Sequence, residues 1–181
     1  MVRYSKRRIS ELFQTIDTTT DANIQGDALE ELTCLLFLAI PGIKFGKKDF
    51  FNERKSQEID IGFSNFNPYN GLNMIDPIII VECKSSSEPL CSKDTAWFID
   101  KIRRKHQKFG FLISLSGITG NPTKNNAAHD VIMQAFNQEG IMIFIIIREE
   151  ILSLTDTKDF VELIQQKFSK LIFDEKIFYH A

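Results

Sequence analysis

The sequence lacks the marks of several common protein classes. It has only three cysteines, Cys34, Cys83 and Cys91, an odd number with no CxxC pair. Neither a disulfide framework nor a thiolate zinc site follows from that pattern, and a reducing, cytoplasmic setting fits it best. Long apolar runs are missing as well. The longest are residues 78–81 and 141–147, far short of the ~20 residues that a membrane-spanning helix needs. The opening MVRYSKRRIS is basic, but no apolar stretch follows it, so it does not read as a signal peptide. No membrane association is expected. Charge of one sign is not in excess either: the formal net charge is −2. Duplex-DNA-binding modules usually carry a basic face, so a simple module of that kind is disfavoured. An enzyme whose site is built from carboxylates is not, because those acids offset basic residues elsewhere. No repeat and no low-complexity linker divides the chain, and residues 1–181 are expected to form one domain.

What is present supports a packed fold. Apolar residues make up 43% of the chain, and 16 are Phe. Residues 4–16 place Ile9, Leu12, Phe13 and Ile16 at helical spacing. Residues 26–39 predict a second, buried helix, with Asp27 as its N-cap and Pro41-Gly42 as its stop. Strands are predicted over 43–51, 57–63 and 77–84; the second alternates and the third is apolar through its first part. A helix over about 94–108, a strand over 110–116 and a helix over 126–139 ended by Gly140 come next. A fifth strand over 141–147 and a helix over 157–171 follow. Three consecutive strands followed by alternation predict an α/β fold: a three-layer α/β/α sandwich around a mixed sheet of about five strands.

The chemistry concentrates where the third strand turns polar, at Glu82-Cys83-Lys84. Residues two apart on a strand share a face, so Glu82 and Lys84 project together. Cys83 points the other way, but its carbonyl lies between them and can serve as a metal ligand. Asp60 sits on the preceding strand. If the two strands are neighbours, Asp60 and Glu82 can converge on one cation. Two carboxylates, a carbonyl and waters are hard oxygen donors, the preference of Mg²⁺ or Mn²⁺. Such an ion polarises a phosphate and acidifies a bound water. Lys84 beside it can stabilise developing negative charge, or help orient and deprotonate that water.

The pattern Asp60 … Glu82-Cys83-Lys84 resembles the PD-(D/E)XK nuclease superfamily, with its restriction-endonuclease-like fold. The segment Gly26-Asp27-Ala28-Leu29-Glu30-Glu31-Leu32 is similar to the first core helix of the Mrr-like and resolvase-like branches. The resemblance covers roughly residues 24–147. It implies a metal-dependent DNA endonuclease, in a setting such as bacterial defence against foreign DNA. It also implies Glu30 as a helical acid reaching the metal, with Glu31 as the competing choice. The ligand set would then be Glu30, Asp60, Glu82 and the Cys83 carbonyl, and the catalytic set Glu30, Asp60, Glu82 and Lys84. The chain departs from the motif in one place: Asp60 follows Ile59 rather than proline, and Asp76-Pro77 has the reverse order.

Each feature also has a plainer reading. Glu82 and Lys84 can be an ion pair at a strand end. Asp60 can be a solvent-facing strand residue, and Glu30 or Glu31 an exposed helix position. The basic run 101–108 can contact phosphates or form a solvated face, as can Lys6-Arg7-Arg8, Lys47-Lys48 and Arg54-Lys55; Lys93 and Lys124 are in loops that could flank the site. His106 and His129 read as ordinary polar helix residues. Trp97 and the Phe residues read as core or interface rather than a base-stacking platform. No separate sequence-reading domain is evident, so target choice is expected from self-association or a protein partner. The tail carrying Phe173, Ile177, Phe178 and Tyr179 is a candidate contact surface. A catalytically silent or partner-activated subunit of the same fold is the alternative expectation, and RNA the alternative substrate.

Overall fold

The structure, a computed structural model, describes residues 1–51, 58–66, 71–121 and 126–177, with the backbone alone at 49–51 and 58. Its elements are α1 (Lys6–Thr18), α2 (Ala22–Leu38), β1 (Ile43–Phe51), β2 (Glu58–Asn65), β3 (Ile78–Lys84), α3 (Ser92–Arg104), β4 (Phe109–Ser114), α4 (Ala128–Glu139), β5 (Met142–Ile146), α5 (Arg148–Ser153) and α6 (Thr157–Asp174). The five strands form one sheet in sequential order. β1, β2 and β3 pair antiparallel, while β3, β4 and β5 pair parallel. A parallel pair needs a crossover, and α3 and α4 supply the two that this sheet requires. Among the described residues no helix is long and apolar enough to cross a membrane.

Period-two alternation sorts the strand side chains onto two faces. On one face, Phe63, Ile79, Val81, Phe111 and Phe144 pack against α1, α2 and α6. Phe37 of α2 anchors this layer. It stacks on Phe63 at 5.1 Å and meets Phe111 and Phe160 edge-on at 5.1 and 5.2 Å. On the other face, Ile80, Leu112, Ile143 and Ile145 pack against α3 and α4. The three-layer sandwich follows. α3 approaches the sheet closely because Gly110 of β4 has no side chain. A Cβ there would stand 2.8 Å from Ile102 and 2.9 Å from Phe98.

Three features depart most from the sequence expectation. α2 starts at Ala22, capped by Asp21, whose carboxylate accepts from the amides of Asn23 and Ile24. Asp27 is therefore a second-turn residue and not the cap; Gly26 is carried inside the helix, with open space beside it. α5 was not expected. It is short and its N-cap position is Ile147, so neither periodicity nor a capping residue marks it; the Ile147 amide donates to Glu150 Oε2 at 3.1 Å instead. The tail is only partly a surface. Phe173 is 82% exposed, but Ile177 is buried with Ile143 and Ile145. Glu175 takes a left-handed conformation after α6 and turns the chain back over the edge of the sheet. Arg54, Lys55, Lys124, Phe178 and Tyr179 lie outside the described residues.

Candidate metal centre

The register of β2 on β3 builds the site. Ile61 pairs with Val81, so the next antiparallel rung puts Asp60 beside Glu82, both on the α3 face. The recorded ladder stops at Ile61–Val81. Beyond it the Cys83 amide donates to Asp60 Oδ2 at 2.7 Å. A side-chain acceptor thus closes the open end of the strand pair, and it fixes the Asp60 carboxyl against β3.

Glu82 is only 2% exposed. Burying a carboxylate without partners is prohibitive, and this one has two cations. Lys84 Nζ lies 2.9 Å from Oε1, and Lys101 Nζ donates to Oε2 at 2.6 Å. Lys84 reaches from the same strand and is partly exposed. Lys101 reaches from α3 and is 4% exposed. Asp94, Trp97 and Lys101 recur at helical spacing along α3 and, with Asp60, Glu82, Lys84, Leu90 and Leu112, line one cavity of about 270 Å³. That volume holds a phosphate group and several waters at roughly 30 Å³ each.

The electrostatics are those of a crowded acid pair. Burial and then the neighbouring Glu82 charge raise Asp60 from 3.8 to about 6, against the Cys83 amide, Lys84 and Lys101, which oppose the rise. For Lys84, burial pulls downward, but Glu82, Asp60 and Asp94 together outweigh it and hold the ammonium above its usual value. Lys84 is therefore a cation at neutral pH, suited to stabilise an anion rather than to take a proton.

The other expected site residues are placed differently. Cys83 points to the α2 face, where its sulfur lies 3.3 Å from Thr33 Oγ1. Burial holds its thiol well above the ordinary value, so the sulfur packs as a neutral group. Glu30, one turn before Thr33, pairs with Lys48 at 2.8 Å. Its charge acts on Cys83, whereas the charges acting on Asp60 come from Glu82, Lys84 and Lys101. Glu30 does not line the cavity. Glu31 pairs with Arg8 on the protein surface. The structure thus gathers Asp60, Glu82 and Lys84, and leaves Glu30 on the far side of β3. Among the described residues no group of three or more His, Cys, Asp or Glu side chains is close enough to hold a metal ion.

Two cavity residues were read otherwise from the sequence. The sequence puts Lys101 in a basic run that contacts phosphates or forms a solvated face, and also near the face of Trp97, Phe98 and Ile102; the structure buries it on Glu82. Its neighbours do face outward: Arg103 pairs with Glu139 at 2.6 Å and Arg104 with Asp100 at 2.7 Å. The available signal was helical spacing, since Lys101 lies one turn after Trp97 and next to the apolar Phe98–Ile102 stripe. Trp97 reads from the sequence as core or interface; at 52% exposed beside the cavity it is not core. His129, read as an ordinary polar residue, is fully buried, and burial lowers its pKa.

The donor set suits a small hard cation. Mg²⁺ is commonly held by one or two carboxylates with waters filling the remaining positions, and Asp60 and Glu82 offer that pair. The raised Asp60 carboxyl fits such a group in part: burial is the larger cause of the rise, and a cation beside the pair would relieve the Glu82 repulsion that adds to it. Comparison with protein-family models, with curated proteins and with solved structures returns no match for this chain.

Proposed function

We propose that the protein is a Mg²⁺- or Mn²⁺-dependent hydrolase of phosphodiester bonds in DNA. The observation that carries this reading is the facing Asp60–Glu82 pair in a cavity that also holds Lys84. Asp60 and Glu82 would hold the ion, with the Cys83 carbonyl as a further oxygen. A bound divalent ion supplies charge neutralisation at the scissile phosphate and a more acidic water. Lys84, kept cationic by Glu82, donates to a phosphate oxygen as negative charge accumulates there. Burial of Glu82 between two lysines fixes its carboxylate in place before substrate arrives. Glu30 joins this set only if Lys48 releases it. That the substrate is DNA rather than RNA, and that the setting is defence, rests on the motif resemblance.

The test is cleavage of plasmid DNA, and of matched RNA in competition, with Mg²⁺ or Mn²⁺. Wild type is expected to cut, and Glu82→Ala and Lys84→Ala each to lose at least a hundredfold in rate, the scale for removing one transition-state donor. Cleavage that survives both substitutions would end the assignment.

A second reading is favoured by one observation: both Glu82 oxygens already carry an ammonium partner. A site neutralised in this way fits a subunit that stays silent until a protein partner or a second copy rearranges it. Metal binding without cleavage by the isolated chain points to that reading.

Trp97 gives an independent optical check. It is the sole tryptophan and stands exposed at the cavity, and aromatic faces stack on unpaired bases with ~1–3 kcal/mol per base. A single-stranded oligonucleotide is expected to quench its fluorescence, and Trp97→Ala to weaken binding by roughly 5- to 150-fold, the same energy expressed as a ratio. Unchanged fluorescence at saturating oligonucleotide would remove Trp97 from the substrate path.

A further inference from the structure

Lys101 is the one cavity cation that the proposed chemistry does not use. It is more deeply buried than Lys84, and it makes the shorter contact with Glu82, 2.6 against 2.9 Å. A buried ion pair is seldom more stable than apolar side chains of the same volume. Net stability therefore does not by itself account for a lysine on Glu82 here, although removing Lys101 alone leaves Glu82 with Lys84 as a cation partner. The position does matter for charge. An ammonium at hydrogen-bond distance from a carboxylate oxygen takes up the bonding direction that a metal ion would use on that oxygen. The other basic residues late in α3 pair outward with Glu139 and Asp100, so this inward turn is specific to Lys101.

We propose that Lys101 is an internal counter-ion that stands in for the divalent cation at Glu82 and is displaced by it. In the metal-free protein Lys101 neutralises Glu82 and keeps the carboxylate oriented. When a metal binds, Glu82 passes from Lys101 to the ion. The freed ammonium then faces the cavity, where a substrate phosphate accepts from it. Lys101 is thus a positioning residue before metal binding and a phosphate contact after it. This inference rests on the metal reading of the Asp60–Glu82 pair.

The experiment is Mn²⁺ titration of wild type and Lys101→Met, by electron paramagnetic resonance and calorimetry, with no substrate present. Lys101→Met is expected to bind Mn²⁺ at least tenfold more tightly, because the ion no longer competes with an ammonium. In parallel, the ¹⁵N resonance of the wild-type Lys101 ammonium is followed as diamagnetic Mg²⁺ is added. A buried ion pair protects that group from exchange, and the signal is expected to broaden or disappear as metal takes Glu82. Lys101→Gln replaces Lys101→Met if the latter does not fold, and the resonance experiment needs no variant. Equal or weaker Mn²⁺ binding by the variant overturns the inference and leaves the metal reading standing. Tighter binding with an unmoved Lys101 resonance also overturns it, since that is a field effect without displacement. Absence of Mn²⁺ binding in both proteins overturns the inference and the metal reading together.

Discussion

Replacing Asp60 by Asn is expected to make the metal-free protein more stable at neutral pH while removing its activity. Asp60 has a folded-state pKa of about 6 against an ordinary 3.8, chiefly from burial and then from Glu82. The sign follows from linkage. A carboxyl that holds its proton more tightly when folded contributes stability below pH 3.8, and that contribution is lost as pH rises through about 6. Above that point the ionised Asp60 opposes folding by up to about 3 kcal/mol, taking about 1.4 kcal/mol per pKa unit. Asn is neutral at every pH, and its side-chain oxygen can still accept from the Cys83 amide. Urea unfolding at pH 8 without metal should show the variant ahead by up to this amount, with the advantage vanishing near pH 4. Saturating Mg²⁺ should reverse the order. Ligand at a hundred times its Kd adds about 2.7 kcal/mol to the protein that binds it, and on the proposed reading the variant lacks one of the two metal-holding carboxylates. Cleavage should fall by about a thousandfold or more, since several kcal/mol of charge stabilisation pass through the ion. A variant that is no more stable than wild type at pH 8 without metal would show that Asp60 is not the strained member of an acid pair. A site that destabilises its own fold in this way is what a functional constraint produces.

How far the sequence discloses this arrangement depends on which contacts are local. β3 is legible because four consecutive apolar residues end abruptly in Glu82-Cys83-Lys84, and period two then puts Glu82 and Lys84 on one face. Asp60 is legible for the same reason on β2. Their meeting rests on strand adjacency, which three consecutive strands make the simplest topology. Lys101 is legible only in part: helical spacing puts it next to the apolar Phe98–Ile102 stripe, but nothing in the sequence names its partner. It lies in a run of mostly charged residues, its partner is on another element 19 positions away, and only the crossing of α3 over Gly110 brings the two together. For Trp97 aromatic character leaves core and interface open, and the helix turns that face to the cavity, which rules out the core. Glu30 is the most instructive case. Its helix packs against β3, but side-chain direction depends on helix rotation. Here Thr33 takes the contact with Cys83, while Lys48 holds Glu30. The cap of α2 lies six residues earlier than the sequence suggests for a similar reason: Asp21 and Asp27 are equally good capping residues, and Gly26 is tolerated in the interior because nothing crowds it.

Loss of the Glu150 carboxylate is expected to be the most damaging single change to the fold outside the apolar core. Glu150 of α5 and Lys167 of α6 are 2% and 3% exposed, and Lys167 Nζ donates to Glu150 Oε1 at 2.6 Å. The other oxygen, Oε2, accepts from the Ile147 amide that begins α5. Glu150→Ala therefore removes the helix cap and strips Lys167 of this carboxylate in a dry environment. Breaking one side of a buried pair costs about 3–5 kcal/mol, which for a chain of this size lowers Tm by roughly 6–20 °C. Burial already pulls Lys167 below its usual value, and Glu150 resists that pull. Without Glu150 the lysine should shed its proton more readily. A lysine whose folded pKa is depressed favours the fold once it is neutral, so the deficit of Glu150→Ala should shrink as pH rises toward 10 and widen as it falls. The double change Glu150→Leu with Lys167→Met should recover most of the loss, because an apolar pair of similar volume has no charge to desolvate; the Ile147 amide accounts for the remainder, about 1 kcal/mol. If the double variant is as unstable as the single one, the pair contributes through specific geometry rather than through the desolvation of its charges. The comparison with Glu82 is direct. Both acids are buried on lysines, but Glu82 also stands beside a second acid, Asp60, on the wall of a cavity of about 270 Å³. Charge burial alone does not mark the site; a second acid beside an accessible cavity does.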